Sequence, residues 1–297
     1  MRLKQKRNIF DRYAVLFLIP AFLLYTGFVI WPSISSLYYS MTNWNGVSPD
    51  INFVGFLNFK TILTSPRFWN ALKNTFILTF VISLFENAIA LALALLVDKV
   101  TAGKNVFRAA FYIPVLLSGI VSGYIWKILY NYNFGAINQF LEAINLGNLK
   151  QDWLGDHHFA LISIAVVLIW KGAGYYMVIY LAALQGISAD VLEAARIDGA
   201  SGWQMFRRIT VPMISSAFTI NLTLSLINGL KVFDQISVMT DGGPGFNTET
   251  MVYLLYKVGF GEGRQGYGTA VGIILFVIIL AMNGLQNAIL KEVEVDT

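Results

Sequence analysis

Cysteine is absent from the 297 residues, which excludes disulfides, thiol nucleophiles and cysteine metal sites. Histidine occurs only as the adjacent pair His157-His158, too few ligands for an ordinary metal or haem centre. Charge is scarce too. Asp, Glu, Lys and Arg make up 13% of the chain, where an ordinary globular domain carries about 25%. A soluble fold of this length buries a large core but still needs a charged surface, and this chain has too few charges to cover one. That excludes a soluble enzyme, a disordered chain and a conventional nucleic-acid binder. The net charge of +4 is small and is informative only by position. What is abundant is apolar: 56% hydrophobic residues, with 22 Phe, 14 Tyr and 7 Trp. The mean hydropathy is +0.61. Much of the surface should therefore face lipid.

Long apolar runs with few or no charges mark six candidate spans. They cover roughly Tyr13 to Tyr39, Asn74 to Val97 (with Glu86 inside), and Ala109 to about Tyr130 (with Lys127 near its end). The others are Phe159 to Leu184 (with Lys171 inside), Pro212 to Met239 (with Lys231 and Asp234), and Gln265 to Leu290. Each reaches the ~20 residues a helix needs to cross the hydrocarbon layer. The runs are too long and continuous for barrel strands, and a helix satisfies its own backbone inside lipid. The expected fold is all-α, a polytopic membrane protein of six transmembrane helices forming a single domain over residues 1–297.

Lys and Arg assign the sides. With odd-numbered crossings leaving the cytoplasm, the cytoplasmic set is Arg2, Lys4, Lys6, Arg7, Arg12, Lys99, Lys104, Arg108, Arg196, Arg207, Arg208 and Lys291. The outer set is half that size: Lys60, Arg67, Lys73, Lys150, Lys257 and Arg264. The bias places both termini in the cytoplasm of a cell-membrane protein. The basic start could also head a signal peptide. The apolar run is too long for one, however, and no clear small-x-small cleavage site follows, so it reads as a retained first span.

The loop between spans four and five, residues 186–212, differs from the others. Ser188 can cap a short helix with Asp190 in its first turn. Gly199 can end that helix in a left-handed conformation. Ser201 and Gln204 have capping-box spacing for a second helix. Val191, Leu192, Ala195 and Trp203 add apolar surface beside charges. The local chemistry fits either a docking element or a helix hairpin lying on headgroups.

Spacing separates the two. Glu193-Ala194-Ala195, three residues, Gly199, nine residues, Ile209, one residue, and Val211-Pro212 resemble the EAA loop of binding-protein-dependent ABC importers, with Val211 in place of Leu. Further stretches resemble the maltose-importer type of carbohydrate permease (the disaccharide, oligosaccharide and glycerol-phosphate group). These are Phe53-Val54-Gly55-Phe56-Leu57-Asn58-Phe59, Arg108-Ala109-Ala110-Phe111-Tyr112-Ile113-Pro114, Ile125-Trp126-Lys127, Gly135-Ala136-Ile137-Asn138, Phe233-Asp234, Thr240-Asp241-Gly242-Gly243-Pro244 and Thr248-Glu249. Ser188 stands where relatives often have Pro.

The resemblance implies a type I importer permease that moves carbohydrate, foremost oligosaccharide, by alternating access. An anionic cargo such as a uronate oligosaccharide or glycerol phosphate is the alternative. It implies a second homologous permease (a heterodimer), two ATPase subunits and an extracytoplasmic solute-binding protein as partners. Glu193, Ala194, Ala195, Gly199, Ile209 and Pro212 would then couple to the ATPase. ATP and Mg would be bound by those subunits. This chain has no Gly-x-x-x-x-Gly-Lys-Ser/Thr loop and no cofactor of its own is expected, so it is read as a transport subunit and not an enzyme.

Polar side chains in mid-membrane are costly and point to function. Lys171, Gly172 and Tyr175 on span four, and Ser225, Asn228 and Gly229 on span five, match the family's substrate-contacting positions. They suit a sugar: hydroxyl-binding groups, an aromatic face and room. Against this, Lys171 could pair with Glu86 or snorkel, and the glycines could serve helix packing. Lys231 and Asp234, three apart, are expected to form a structural ion pair. Trp170 and Tyr176 are expected to be belt or packing residues, and Glu86 is ranked low as a ligand. A membrane-embedded enzyme would need a catalytic constellation that two adjacent histidines and Glu86 do not supply. A stand-alone secondary transporter would be expected to show inverted repeats, and none is clear.

Overall fold

The computed structural model describes residues 9–290. Arg2, Lys4, Lys6, Arg7 and Lys291, which weigh in the sidedness argument, lie outside the described residues. The described chain is helical, with one isolated antiparallel bridge, Thr42 to Phe53. In order the helices are α1 (Ile9–Tyr25), α2 (Trp31–Ser40), α3 (Leu57–Leu63), α4 (Pro66–Lys99), α5 (Lys104–Leu116), α6 (Gly119–Leu129), α7 (Ala136–Ala143) and α8 (Ala160–Gln185). Then come α9 (Ala189–Ile197), α10 (Gly202–Met205), α11 (Val211–Met213), α12 (Ser215–Leu230), α13 (Asp234–Met239), α14 (Met251–Tyr256) and α15 (Gln265–Leu290).

All six expected spans are present as apolar helix, but two are bent. Leu18–Ser40, α4, α8 and Gln265–Ile289 are long enough to cross a membrane. The third expected span, Ala109 to Tyr130, is two helices, α5 and α6, meeting at 93°. The chemistry of the corner explains it. Pro114 supplies no N–H in the last turn of α5, Leu117 is extended, and Ser118 Oγ accepts the Val121 N–H at 3.2 Å to start α6 afresh. The fifth span was expected to begin at Pro212. Instead Pro212 lies in a short turn before a 68° bend, and the span proper starts at Ser215.

The chain packs as two compact units. One holds the described residues up to Ile62 together with Leu255–Ile274; the other holds Leu63–Leu254 and the chain from Leu275. In the first unit, Asn58 Nδ2 donates to the carbonyls of Ser40 and Thr42 at 2.9 and 2.8 Å, and Tyr39 stacks on Trp44. The Gly266 N–H donates to the Trp44 carbonyl at 2.8 Å. That accounts for Asn58 in the Phe53–Phe59 motif: its amide replaces backbone partners where the helix has ended.

In the second unit, α4 lies along α8 and α12. Ala90, Ala94 and Val97 pack against Tyr176, Met177, Tyr180 and Ala217 at one end. Leu78 and Ile82 pack with Ile164, Val167 and Ile236 at the other. Close approach rests on small residues. A Cβ at Gly229 would sit 2.8 Å from Thr79 Cα, and one at Gly174 would meet the Phe111 carbonyl oxygen. The segment after α13 is strapped down by side chains. Glu249, fully buried, accepts two hydrogen bonds of 2.8 Å from Arg67, and Asn74 Nδ2 donates to the carbonyls of Asn247 and Glu249. Thr248 Oγ1 donates to the Gly243 carbonyl at 2.8 Å, and Thr250 Oγ1 to that of Val232 at 2.9 Å.

Candidate functional site

Two assemblies of residues stand out, both inside the second unit. The first is the loop over residues 186–212. Ser188 Oγ accepts the Asp190 N–H at 3.3 Å and opens α9. The helix closes in a left-handed turn at Gly199, whose φ is +79°. The Ala200 N–H reaches back to the Ala195 carbonyl at 3.0 Å, and the Gly199 N–H to that of Arg196 at 3.1 Å. This is the Schellman closure expected of a C-terminal glycine. The second helix starts with a complete capping box: Gln204 Oε1 accepts the Ser201 N–H at 2.7 Å, and Ser201 Oγ accepts that of Gln204 at 3.3 Å.

The loop is therefore rigid yet turned outward. Glu193, Ala194 and Gly199 are exposed, Ile209 and Pro212 half-buried, and Ala195 buried. Ile197 and Trp203 keep 80% and 67% of their surface exposed. Large apolar side chains held on a capped, ordered scaffold make a surface suited to a protein partner.

The second assembly is a cavity of about 430 Å3 among α4, α6, α8, α12 and α13. Lys171, Gly172, Tyr175 and Tyr176 line it from α8, Asn228 from α12, Glu86 from α4, and Asp234 and Gln235 from α13, with Lys231 between α12 and α13. Asn228 Nδ2 donates to Tyr176 Oη at 3.2 Å, and the Tyr175 and Tyr176 rings meet edge to face. Glu86 is 5% exposed. No carboxylate comes within salt-bridge distance of Lys171 or Lys231 among the described residues. The cavity thus offers carboxylate, ammonium, amide and phenol groups around an open volume. A larger cavity of about 760 Å3 runs between α4, α5 and α8, lined by residues such as Ile77, Phe85, Phe111 and Trp170. It has almost no polar lining and could not satisfy a hydroxylated solute.

The sequence family described as binding-protein-dependent transport system inner membrane component matches residues 6–295. The chain belongs to that family. This permease is 34% identical to the probable starch degradation products transport system permease protein AmyD of Thermoanaerobacterium thermosulfurigenes, over 95% of its own length and 94% of the relative's. It is 32% identical to the multiple sugar-binding transport system permease protein MsmF of Streptococcus mutans, covering 97% and 99%. Its fold matches a chain of a bacterial alginate ABC transporter, solved in complex with an alginate pentasaccharide-bound periplasmic protein, with a TM-score of 0.85 at 25% identity over 96% of each chain. The permease is therefore a multi-pass membrane transport component of the type I ABC importer fold, and not an enzyme.

The structure distributes the six residues expected to contact substrate unevenly. Lys171, Gly172, Tyr175 and Asn228 border the cavity. Ser225 and Gly229 do not. Ser225 is fully buried and accepts from Asn87 Nδ2 at 3.0 Å, while Asn87 Oδ1 accepts from Tyr180 Oη at 2.8 Å. Gly229 faces the α4 backbone at Thr79. The expected Lys231–Asp234 ion pair is not formed. α12 stops at Leu230 and α13 starts at Asp234, so the two side chains do not share a helix face, and both line the cavity instead. Tyr176, read as packing, and Glu86, ranked low, are also cavity groups. Glu86 carried a usable signal, a carboxylate at the centre of a span. Tyr176 carried none, because its role depends on how α12 docks.

Proposed function

We propose that this chain is the permease subunit of an ATP-driven importer that takes an oligosaccharide from an extracytoplasmic binding protein into the cytoplasm by alternating access. The single observation that carries this reading is the polar cavity with Lys171, Gly172, Tyr175 and Asn228 at its wall. The capped loop carrying Glu193, Ala194, Ala195, Gly199, Ile209 and Pro212 supports a seat on one of two ATPase subunits. Both termini lie in the cytoplasm, and a second, homologous permease completes the pathway. The two units act together as one transport domain over residues 1–297. Ser225 and Gly229 contribute by shaping α12 against α4, beneath the cavity wall.

Relatives named for starch products and multiple sugars support a neutral oligosaccharide. The cavity agrees, because its two lysines, Lys171 and Lys231, are matched in number by two carboxyl groups, Glu86 and Asp234. An anionic cargo is the second reading, favoured by the likeness to an alginate transporter and by the absence, among the described residues, of a direct ion pair on Lys171.

The test is uptake by complexes reconstituted with all partner subunits, comparing Lys171→Met with Tyr175→Ala well below saturation. For a neutral oligosaccharide, Tyr175→Ala is the more damaging. For an anionic cargo, Lys171→Met abolishes uptake while basal ATP hydrolysis survives. Wild-type uptake in both variants would sink the pathway assignment.

A further inference from the structure

α6 and α13 pack side by side, and each touches a cavity at both of its ends. Gly119 and Asp234, at the starts of the two helices, border the 430 Å3 cavity described above. Lys127 near the end of α6 and Met239 at the end of α13 border a different one, of about 490 Å3. Eight residues separate Gly119 from Lys127, so the two cavities are about 12 Å apart along the helix. The pair is tightly joined between them. Gln235 Nε2 donates to Ser122 Oγ at 3.4 Å, a Cβ at Gly123 would press on Val238 at 3.3 Å, and Lys127 Nζ donates to the Val238 carbonyl at 2.9 Å.

The walls of this second cavity have unspent hydrogen-bonding capacity. Asn131 Oδ1 accepts the N–H groups of Asn133 and Phe134 at 3.0 and 3.2 Å, which fixes its amide orientation and leaves its Nδ2 free to donate. Asp152 Oδ1 accepts the Gly155 N–H at 3.0 Å, leaving Oδ2 as an acceptor. Lys127 keeps two further donors, and the Asn133 amide has both a donor and an acceptor to offer. The Tyr132 ring is backed by Lys150 Nζ at 5.4 Å from its centroid, and Lys150 is held by Glu142 at 2.6 Å. The frame is built rather than incidental. Asn138, 1% exposed, donates to the Tyr132 and Gln151 carbonyls at 3.2 and 3.0 Å and accepts from Trp153 Nε1 at 2.9 Å, locking the loops on both sides. One ammonium, one carboxylate, two amides and a supported aromatic ring suit a neutral polyol with many hydroxyls, and give no net attraction for an ion.

We infer that this second cavity is a saccharide site on the outer face, a staging position from which cargo passes along the α6–α13 pair to the deeper cavity. The inference rests on the permease reading above and on its sidedness, and adds a station that reading does not require.

The test uses the full complex in proteoliposomes and a panel of neutral saccharides, maltose, maltotriose and cellotriose, each also assayed for uptake. Because the chain has no cysteine, Asn133→Cys gives one reporter for an impermeant maleimide. A saccharide at ten times its dissociation constant slows labelling about tenfold by simple occupancy. The expected result is such protection by free saccharide without binding protein, together with a severe loss of uptake in Asn133→Trp, which fills the cavity. Labelling of position 133 unaffected by a sugar that the wild type imports would overturn the outer site and leave the permease reading standing. Protection by unloaded binding protein but not by free sugar would also overturn it, making the cavity a docking surface. Wild-type complexes that import neither this panel nor an acidic oligosaccharide such as an alginate trisaccharide assayed beside it would overturn the oligosaccharide-permease reading itself.

Discussion

Gly172 lies against the carboxylate of Glu86: a Cβ added at position 172 would overlap Glu86 Oε1. The contact joins α8 to α4 at the wall of the polar cavity. It also ties a glycine that makes room at the cavity wall to the buried carboxyl group of the neighbouring helix.

The overlapping atom is the far end of a flexible side chain, so Gly172→Ala should fold. Alanine even favours the helix by about 0.5–1 kcal/mol. The Glu86 carboxylate must swing aside, and the cavity changes shape. We expect normal membrane insertion with a several-fold loss of uptake, partly restored by Glu86→Ala in the same chain. Uptake in reconstituted complexes checks this, and equal losses with and without Glu86 would show that the contact is irrelevant.

At Gly199 the constraint is conformational alone. Its φ is +79° and an added Cβ meets nothing within 4 Å. Gly199→Ala should therefore cost about 1 kcal/mol of turn strain, and Gly199→Asn less, since Asn tolerates the left-handed region. Retention of the ATPase subunit during purification, and transport, should rank Gly, then Asn, then Ala. Indifference to all three would remove the loop from the coupling role.

Arg67 and Glu249 form a bidentate pair whose carboxylate is fully buried while the guanidinium keeps 25% of its side-chain surface exposed. Breaking it from one side leaves a buried charge. Arg67→Met should destabilise by about 3 kcal/mol, the low end for buried pairs because solvent reaches the arginine. Arg67→Met with Glu249→Gln should recover much of that loss. Thermal unfolding in detergent reads the difference; a double variant no better than the single one would argue against the charge as the cause.

Sidedness is tested by the same cysteine-free background. A cysteine at position 199 should resist an impermeant reagent in intact cells and react after permeabilisation. A cysteine at position 150 should already react in intact cells, with no gain on permeabilisation. Labelling of position 199 from outside would invert the proposed topology.

Which features were legible in the sequence follows from range. The Ser188 and Ser201 caps and the Gly199 turn depend on residues within about one helical turn of each other, and all are present where the spacing put them, while two of the six spans are bent. The 93° corner at Leu117 was written locally too, in Pro114 and Ser118, but the unbroken apolar run concealed it. Cavity membership was not local. Ser225 and Asn228 sit three residues apart on one helix, yet the way α12 leans on α4 and α8 seals the first among Asn87 and Tyr180 and leaves the second beside Tyr176 and open volume. The same docking, with the break after Leu230, separates Lys231 from Asp234 and turns both toward the cavity. Sequence by itself determined that this chain spans a membrane as helices and carries a capped loop. Only the tertiary packing decided which polar side chains face the cavity, because a helix periodicity of 3.6 residues tells which side chains share a face but not what that face meets.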